Sequence, residues 1–268
     1  MEIIQGYNAL MAHKARKRFG QNFLHDPNVI DRIVRTIQPQ PEQHLVEIGP
    51  GQGAITGRLL ALANKLDAVE LDRDLVRLLD GKYASCSGFQ LHSADALAFD
   101  FCQLASGGEK LRIIGNLPYN ISTPLLFHLL ENRQCIRDMH FMLQKEVVER
   151  MVAGPGSKTY GRLSVMLQAV CKVQMLFPIG PGAFQPAPKV ESAFVRLIPH
   201  DKPPFPIENP VLFAKVVTQA FSQRRKTLRN TLKGLISEET MQSCGIDPSV
   251  RAEQLSVENF ACLSNTCA

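Results

Sequence analysis

Short apolar runs alternate with amphipathic segments between about residue 28 and residue 200, and this alternation restricts the possible folds more than any other feature. The apolar runs are typical of strands: His44–Ile48, Leu66–Glu70, Gln90–His92, Leu111–Ile114 and Met139–Leu143. The segments between them are typical of helices: Ile55–Leu62, Leu75–Leu79, Pro124–Leu130 and Lys145–Val152. Strands and helices that alternate at this spacing predict an α/β fold with a parallel sheet and helices on both of its faces.

The pattern changes towards the C-terminus. Two later apolar runs, Val170–Phe177 and Ser192–Ile198, flank a loop rich in proline and glycine and could form a hairpin-like sheet edge. Prolines cluster again at Lys202–Pro206, and the sequence beyond them is helical in pattern. We therefore expect a basic N-terminal arm over residues 1–27, an α/β domain over 28–204 and a small all-α domain over 205–268.

The composition, with 45% hydrophobic and 21% charged residues, is that of an ordinary soluble globular protein. No apolar run approaches the roughly 20 residues that span a bilayer, and no apolar stretch follows the N-terminus as a signal peptide requires. The seven cysteines are scattered, odd in number and without a CxxC pair. We expect reduced thiols in a cytoplasmic protein, with neither a disulfide framework nor a metal site.

Two clusters of cations contain no acidic residue, and the net charge is +5. One is HKARKR, near the N-terminus, and the other is FSQRRKTLRNTLK, in the predicted helical domain. Such clusters suit a polyanion such as RNA, although a solvated helix face or a flexible tail is an equally good interpretation of either cluster alone. The candidate RNA-binding residues are Lys14, Arg16, Lys17, Arg18, Arg224, Arg225, Lys226 and Arg229.

A glycine-rich turn, VEIGPGQGA, follows the first predicted strand and leads into a helix. Read loosely, Gly49, Gly51 and Ala54 satisfy the dinucleotide fingerprint, and Glu70 fits the acid that binds a ribose. The turn alone does not distinguish NAD from other adenosine cofactors, and a turn without any ligand is also possible.

Glu47 is the residue that discriminates between cofactors. Its carboxylate, two residues before Gly49, would repel a pyrophosphate and favour the ammonium and sulfonium of S-adenosylmethionine. Glu70 can then accept from both ribose hydroxyls, and Asp95, after the third strand, can accept from the adenine amine. These acids lie at the ends of three successive strands, and ligands of open α/β sheets bind at the carboxyl ends of strands. Asp95 alone would instead be interpreted as a helix N-cap.

The turn GNLPYNIS follows the fourth predicted strand. The Asn116 side-chain oxygen and the Leu117 carbonyl could accept from an exocyclic adenine amine, localise its lone pair and stabilise the transition state. Pro118 holds Leu117 in an extended conformation, and Tyr119 offers a face for an extruded base. Attack would need positioning and no general base. The alternative is an ordinary loop with a packed tyrosine.

VEIGPGQG, AVELDRD, SADAL and GNLPYNIS together resemble the rRNA adenine N6,N6-dimethyltransferase family. HKARKRFGQNFLHD, QKEVVERMVAGPGSKTYGRLSV, AFQPAPKVESA and FSQRRKTLRNTLK narrow the resemblance to its 16S rRNA branch. The resemblance implies a Rossmann-like class I methyltransferase domain and a helical C-terminal domain, with S-adenosylmethionine as the methyl donor. It also implies four methyl transfers onto two adjacent adenosines in the 3′-terminal hairpin loop of small-subunit rRNA.

The resemblance assigns roles to individual residues. It places cofactor contacts at Asn22, Leu24, Gly49, Glu70, Asp95 and Asn116, and the catalytic tetrad at Asn116, Leu117, Pro118 and Tyr119. Phe184 corresponds to an aromatic residue near the target base, although a packed loop anchor is an equal alternative for this side chain. The N-terminal arm and a cationic C-terminal helix would flank one cleft.

The expected partner is 16S rRNA within an assembling small ribosomal subunit, and we expect a monomer that does not bind membranes. Three alternatives remain. The 23S rRNA branch that confers macrolide resistance shares both turns, but RRKTLRN and the basic arm fit it poorly. A non-catalytic RNA-binding assembly or transcription factor would not need the acids and the GNLPYNIS turn. An NAD-dependent oxidoreductase is disfavoured by Glu47.

Overall fold

The computed structural model describes residues 21–266. Its strands are β1 (Phe23–Leu24), β2 (His44–Ile48), β3 (Lys65–Glu70), β4 (Phe89–Ser93), β5 (Leu111–Asn116), β6 (Ile136–Gln144), β7 (Cys171–Ile179), β8 (Phe184–Gln185) and β9 (Ser192–Pro199). Its α-helices are α1 (Pro27–Ile37), α2 (Thr56–Leu60), α3 (Arg73–Tyr83), α4 (Ser122–Glu131), α5 (Lys145–Val152), α6 (Arg162–Gln168), α7 (Pro210–Ala220), α8 (Leu228–Thr231), α9 (Glu238–Ser243) and α10 (Val257–Asn265).

Seven of these strands form one sheet in the order β4-β3-β2-β5-β6-β9-β7. The pairs from β4 to β6 are parallel, whereas β6 and β9 are antiparallel. The predicted α/β fold is therefore confirmed, and β7 and β9 are neighbours in the sheet, as the hairpin-like edge required. The chain order reverses between β2 and β5, and such a switch point opens a crevice at the carboxyl ends of the strands.

One face of the sheet is covered by α1 and α2. Helix α1 begins after Asp26, whose carboxylate accepts from the backbone N–H groups of Asn28 and Val29, and it has Pro27 at its first position. Its apolar stripe, including Ile33 and Ile37, packs in one cluster with residues of β2, β3 and β5. This burial removes apolar surface from water and holds the strand ends in place.

The chain divides into two compact units. Of the described residues, the first comprises 21–145 and 176–197, and the second comprises 146–175 and 198–266. The core of the second unit contains Tyr160 and Val165 together with Phe213 and Phe260. Residues 146–175, which the sequence analysis placed in the α/β domain, therefore pack with the C-terminal helices. In residues 21–266, no helix combines the length and the hydropathy that crossing a membrane would require.

The expectation of reduced thiols is wrong for four cysteines. Cys102 and Cys135 form one disulfide, and Cys244 and Cys262 form another, with Cα–Cα distances of 5.5 and 5.9 Å. The partners lie 33 and 18 residues apart in the sequence. No short sequence motif predicts these two pairings, because only the fold brings the cysteine side chains within bonding distance.

Gly115 permits the close approach of β5 to β2. A Cβ atom at this position would lie 2.7 Å from the Ile48 carbonyl oxygen, a backbone atom that cannot rotate away. We expect Gly115→Ala to lower the free energy of unfolding by about 2 kcal/mol, the usual cost of overpacking a core. Denaturant unfolding measures this change.

Gly81, in the exposed part of α3, is the matched control. A Cβ atom there would meet nothing within 4 Å. Gly81→Ala is expected to stabilise the protein by about 0.5–1 kcal/mol, because alanine favours a helix over glycine. A Gly115→Ala protein as stable as the wild type would contradict the steric argument.

Candidate active site

A cavity of about 180 Å³ opens at the carboxyl ends of the parallel strands. Gly49 follows β2, Glu70 ends β3, Asp95 follows β4 and Asn116 ends β5, and all four line this main cavity. Residues 117–121 and 21–23 complete much of its wall. Six of the eight predicted cofactor residues and residues 116–121 of the GNLPYNIS turn thus line one cavity, although they come from positions spread over almost 100 residues of sequence. The other two, Leu24 and Glu47, line a smaller cavity beside it.

The glycine-rich turn after β2 contains three glycines in the left-handed region, Gly49, Gly51 and Gly53. Gly49 and Gly51 have φ angles of 63° and 59°, in the left-handed region that favours glycine. A Cβ atom on Gly51 would lie 3.0 Å from the Phe23 ring, so glycine also lets the segment at residues 21–24 lie directly on the turn. This segment includes β1, and the pairing of β1 with β8 holds it in place.

Glu70 is buried in the wall of the main cavity. Its Oε1 accepts from the Asp72 backbone N–H at 2.9 Å, and its Oε2 accepts from the Gly51 N–H at 3.3 Å. Burial raises the pKa of Glu70, opposed by these backbone hydrogen bonds. Each carboxylate oxygen can accept a further hydrogen bond, so the pair matches two neighbouring hydroxyl groups.

Asp95 lies in the turn after β4 and is exposed. Its Oδ1 accepts from the Leu97 backbone N–H at 2.9 Å, which is the local capping interaction considered as the alternative for this residue. Because Asp95 also lines the main cavity, the two interpretations are compatible. The turn holds one carboxylate oxygen, and the other remains able to accept from a ligand.

Glu47 lies in the wall of a smaller cavity of about 30 Å³, which shares Gly49, Gly51 and Asn116 with the main one. The Thr56 hydroxyl donates to Glu47 Oε2 at 2.6 Å. Burial raises the pKa of Glu47 to about 7, despite the Thr56 hydrogen bond and with a further contribution from Glu70. The predicted counter-charge is therefore adjacent to the turn, but near neutral pH it is only partly ionised.

Asn116 is oriented by the segment that covers the turn. Its Nδ2 donates to the Asn22 backbone carbonyl at 2.8 Å, so the amide is assigned with Oδ1 on the other side. Leu117 is fixed by its N–H, which donates to the Met142 carbonyl at 3.2 Å. Among residues 21–266, no backbone N–H outside the regular elements donates to the Leu117 carbonyl oxygen. Asn116 and Leu117, which carry the two predicted acceptors, both line the main cavity.

Pro118 and Tyr119 complete the turn at the cavity wall. The Tyr119 ring is half-buried, and its hydroxyl lies 2.8 Å from Ser192 Oγ. Burial raises the pKa of Tyr119, opposed by the hydrogen bond with Ser192, so the phenol is neutral at physiological pH.

Phe184 is placed differently from the other predicted site residues. Its side chain is only 2% exposed and belongs to the apolar cluster that also contains Leu24 and Phe194. It is absent from the walls of both cavities. This placement favours the packed loop anchor over a base contact, because a ring enclosed on both faces has no surface left for stacking.

Three cations of the second cluster, Arg224, Arg225 and Lys226, lie between two helices, and Arg229 lies in α8. Helix α7 ends at Ala220 and α8 begins at Leu228, so the expectation of one cationic helix is wrong for Arg224–Lys226. Arg224 donates to the Lys158 carbonyl at 2.6 Å and lies 3.9 Å from Glu253, while Arg229 lies 3.6 Å from Glu238.

Arg225 and Lys226 are exposed and make no ion pair within the described part of the chain. Like Lys233 of the same cluster, which is also exposed, they remain available to an anionic partner. The candidates in the N-terminal cluster, Lys14, Arg16, Lys17 and Arg18, lie outside the described residues.

Sequence reasoning missed several residues of this region. Gln21 Nε2 donates to Asp72 Oδ2 at 3.2 Å and so ties the covering segment to the start of α3. Asp72 belongs to the AVELDRD motif, which was the available signal. Thr56 and Ser192 carried no signal of their own, because a single hydroxyl in a helix or a strand usually has only a local role.

Comparisons with known proteins agree with this geometry. The family model "Ribosomal RNA adenine dimethylase" matches residues 12–268. A curated protein of Pseudomonas putida, named Ribosomal RNA small subunit methyltransferase A, is 57% identical over 261 residues, which are 97% of this chain and 98% of that protein.

Two solved structures show the same fold. A dimethyladenosine transferase from Plasmodium falciparum has a TM-score of 0.76 at 25% identity, and the match covers 90% of this chain and 95% of that one. The 23S rRNA methyltransferase ErmE has a TM-score of 0.73 at 22% identity, covering 92% of this chain and 99% of that one, and it supports the fold alone. The family model and the P. putida relative together decide the family. This chain belongs to the ribosomal RNA adenine dimethylase family.

Proposed function

We propose that this chain transfers methyl groups from S-adenosylmethionine to N6 of two adjacent adenosines in the 3′-terminal hairpin loop of 16S rRNA. The observation that carries the proposal is the placement of Asn116 and Leu117 at a cavity wall shared with Glu70 and Asp95. The substrate is an assembling small ribosomal subunit, and the chain acts on it as a monomer in the cytoplasm. Disulfides are uncommon in the cytoplasm, so the cysteines do not support this location. We assign the protein to the cytoplasm because its proposed substrate, the assembling ribosomal subunit, is there.

The residues of both cavities fit the proposed cofactor. When bound, S-adenosylmethionine supplies a methyl group activated by a positively charged sulfur. Glu70 accepts from the ribose hydroxyls, and Asp95 accepts from the adenine amine with the oxygen that its own turn leaves available. Glu47 provides negative charge beside the glycine turn, where Gly49 and Gly51 allow a close approach.

The acceptor groups explain how a weak nucleophile is activated. The exocyclic amine of adenine has a lone pair delocalised into the ring. Asn116 Oδ1 and the Leu117 carbonyl accept from its two N–H groups and favour a pyramidal nitrogen. These hydrogen bonds strengthen as positive charge develops on that nitrogen, so they stabilise the transition state more than the ground state. The proton is lost after attack, and no general base is required.

Tyr119 supports the extruded base. An adenine whose N6 reacts must leave its stack, and an aromatic face replaces part of the lost stacking energy. We assign the role of holding the AFQPAPKVESA loop to Phe184, in agreement with its burial. The polyanionic backbone is bound by Arg225 and Lys226 and by the N-terminal cations.

The alternatives are less well supported. The likeness to ErmE is one of fold, whereas the 57% identical relative carries the name of a small-subunit enzyme. A purely RNA-binding assembly factor would not need Asn116 and Leu117 at a cavity shared with buried acids. NAD-dependent oxidoreduction is disfavoured because Glu47 would meet a pyrophosphate with like charge whenever it is ionised.

The decisive experiment incubates the protein with labelled S-adenosylmethionine and undermethylated small subunits, and then maps the modified bases. We expect label on N6 of two adjacent adenosines in the 3′-terminal hairpin loop. Asn116→Ala should lower kcat by about 10²–10³-fold, the usual loss when one preorganised transition-state hydrogen bond is removed. Asn64→Ala, an exposed asparagine, is the control and should retain full activity. Label in large-subunit RNA alone, or full turnover by Asn116→Ala, would overturn the assignment.

The raised pKa of Glu47 predicts that cofactor binding depends on pH. Below pH 7 the carboxyl group is mostly protonated, and its attraction for a cation is lost. We expect the affinity for S-adenosylmethionine to fall as the pH is lowered from 8 to 6, and to fall about tenfold per unit at most. Equilibrium binding across this range measures the effect. Glu47→Gln should bind more weakly and lose this part of the dependence; an unchanged pH profile in that variant would exclude Glu47 as the titrating group.

The available cations predict a loss of RNA affinity without a loss of cofactor binding. The affinity for RNA falls as salt is added, and each phosphate contact contributes about −1 to the slope of log affinity against log salt. Reversing Arg225 and Lys226 to glutamate should therefore make this slope less negative by about 2. Lys202→Glu with Lys215→Glu makes the same change in net charge at other exposed sites of the same unit and serves as the control. Equal slopes for the two double variants would mean that only overall charge matters.

A further inference from the structure

The Tyr119 ring is held from its far end by a residue on another part of the chain. Its hydroxyl lies 2.8 Å from Ser192 Oγ, although the two residues are 73 positions apart. Tyr119 follows β5, whereas Ser192 is the first residue of β9. Either oxygen can donate in this pair, since both groups are hydroxyls.

Ser192 is itself fixed by the sheet. It is 1% exposed, and its backbone lies opposite Gln144, the last residue of β6. Next to this pair, the Lys145 N–H donates to the Glu191 carbonyl at 2.9 Å, and the Lys145 ammonium lies 2.6 Å from the Glu191 carboxylate. The hydroxyl of Ser192 is therefore carried by a paired strand and has little freedom to move.

Tyr119 has no comparable support of its own. It lies in the turn between β5 and α4, outside both elements. Within the turn, the Ser122 hydroxyl donates to the Tyr119 carbonyl at 3.1 Å, which restrains the backbone but not the ring. The two side-chain torsions of a tyrosine stay soft unless packing or a hydrogen bond at the phenol oxygen restricts them.

We propose that Ser192 is a positioning residue that holds the Tyr119 ring in the orientation in which it receives the target base. This inference depends on the proposed function, because it concerns the base-stacking role of Tyr119. Ser192 does not touch the cofactor cavities described above, and it acts only through the phenol oxygen. A ring oriented before the base arrives reduces the entropy lost on binding and keeps the amine beside Asn116 and Leu117.

A double-mutant cycle tests the proposal with wild type, Ser192→Ala, Tyr119→Phe and the double variant. Tyr119→Phe keeps the aromatic face and removes only the phenol oxygen. We expect each single variant to lower kcat/KM for the subunit about five- to tenfold, as the loss of one hydrogen bond implies, and the double variant to lose no more than either alone. Cofactor affinity should be the same in all four proteins, and the thermal unfolding midpoint of the three variants should fall by only about 2–4 °C, the effect of one lost hydrogen bond.

Two further variants distinguish the loss of the hydrogen bond to Tyr119 from the effect of removing any buried serine hydroxyl. Ser192→Thr keeps the hydroxyl on the strand and should recover most of the activity that Ser192→Ala loses. Ser264→Ala removes another buried serine hydroxyl, which donates to the Ala261 carbonyl inside α10, and should leave kcat/KM unchanged.

Several results would overturn the proposal. They are a fully active Ser192→Ala, a double variant whose loss is the product of the two single losses, or a loss of activity accompanied by weaker cofactor binding or by a thermal unfolding midpoint close to the assay temperature. In all of these the wild type still methylates the adenosines, so the proposed function stands. A wild-type protein that methylates no adenosine would instead overturn the proposed function and, with it, this inference.

Discussion

The parallel register of β2 with its neighbours is the constraint on which the site depends. Ile48 lies opposite Val69 of β3 and Gly115 of β5, so these three strands end at nearly the same level. Ile48 and Gly115 can pair only because Gly115 has no side chain that would clash with the Ile48 carbonyl oxygen. Because each strand ends in a turn that carries one functional group, the register converts separate motifs into a single cavity.

The electrostatics of the cavity follow from burial. Glu47 and Glu70 lie near each other in a weakly solvated region, which favours their neutral forms. The protein partly offsets this cost with hydrogen bonds from Thr56 and from backbone N–H groups. A cation bound beside these carboxyls would favour their ionised forms, and part of its binding energy would be used to deprotonate Glu47. Cation binding and the ionisation of Glu47 are therefore linked.

The covering segment links the site to the rest of the first unit. Asn22 orients the Asn116 amide, Phe23 packs on the glycine turn, and Gln21 donates to Asp72, the N-cap of α3. These contacts join the cofactor residues to the acceptor turn. The second unit has a separate core, in which Tyr160 donates to the Leu255 carbonyl.

The sequence by itself determined the α/β fold, the glycine turn, the acids at three strand ends and the GNLPYNIS turn. These features are local, because each depends on hydrophobic periodicity or on residues within one turn of the chain. Tertiary structure alone decided which cysteines meet, that Phe184 is enclosed and that Arg224 is occupied by Glu253 and the Lys158 carbonyl. It also decided that Ser192 meets Tyr119. Such contacts join residues that are distant in sequence, and only the packing of complete elements determines which distant side chains become neighbours.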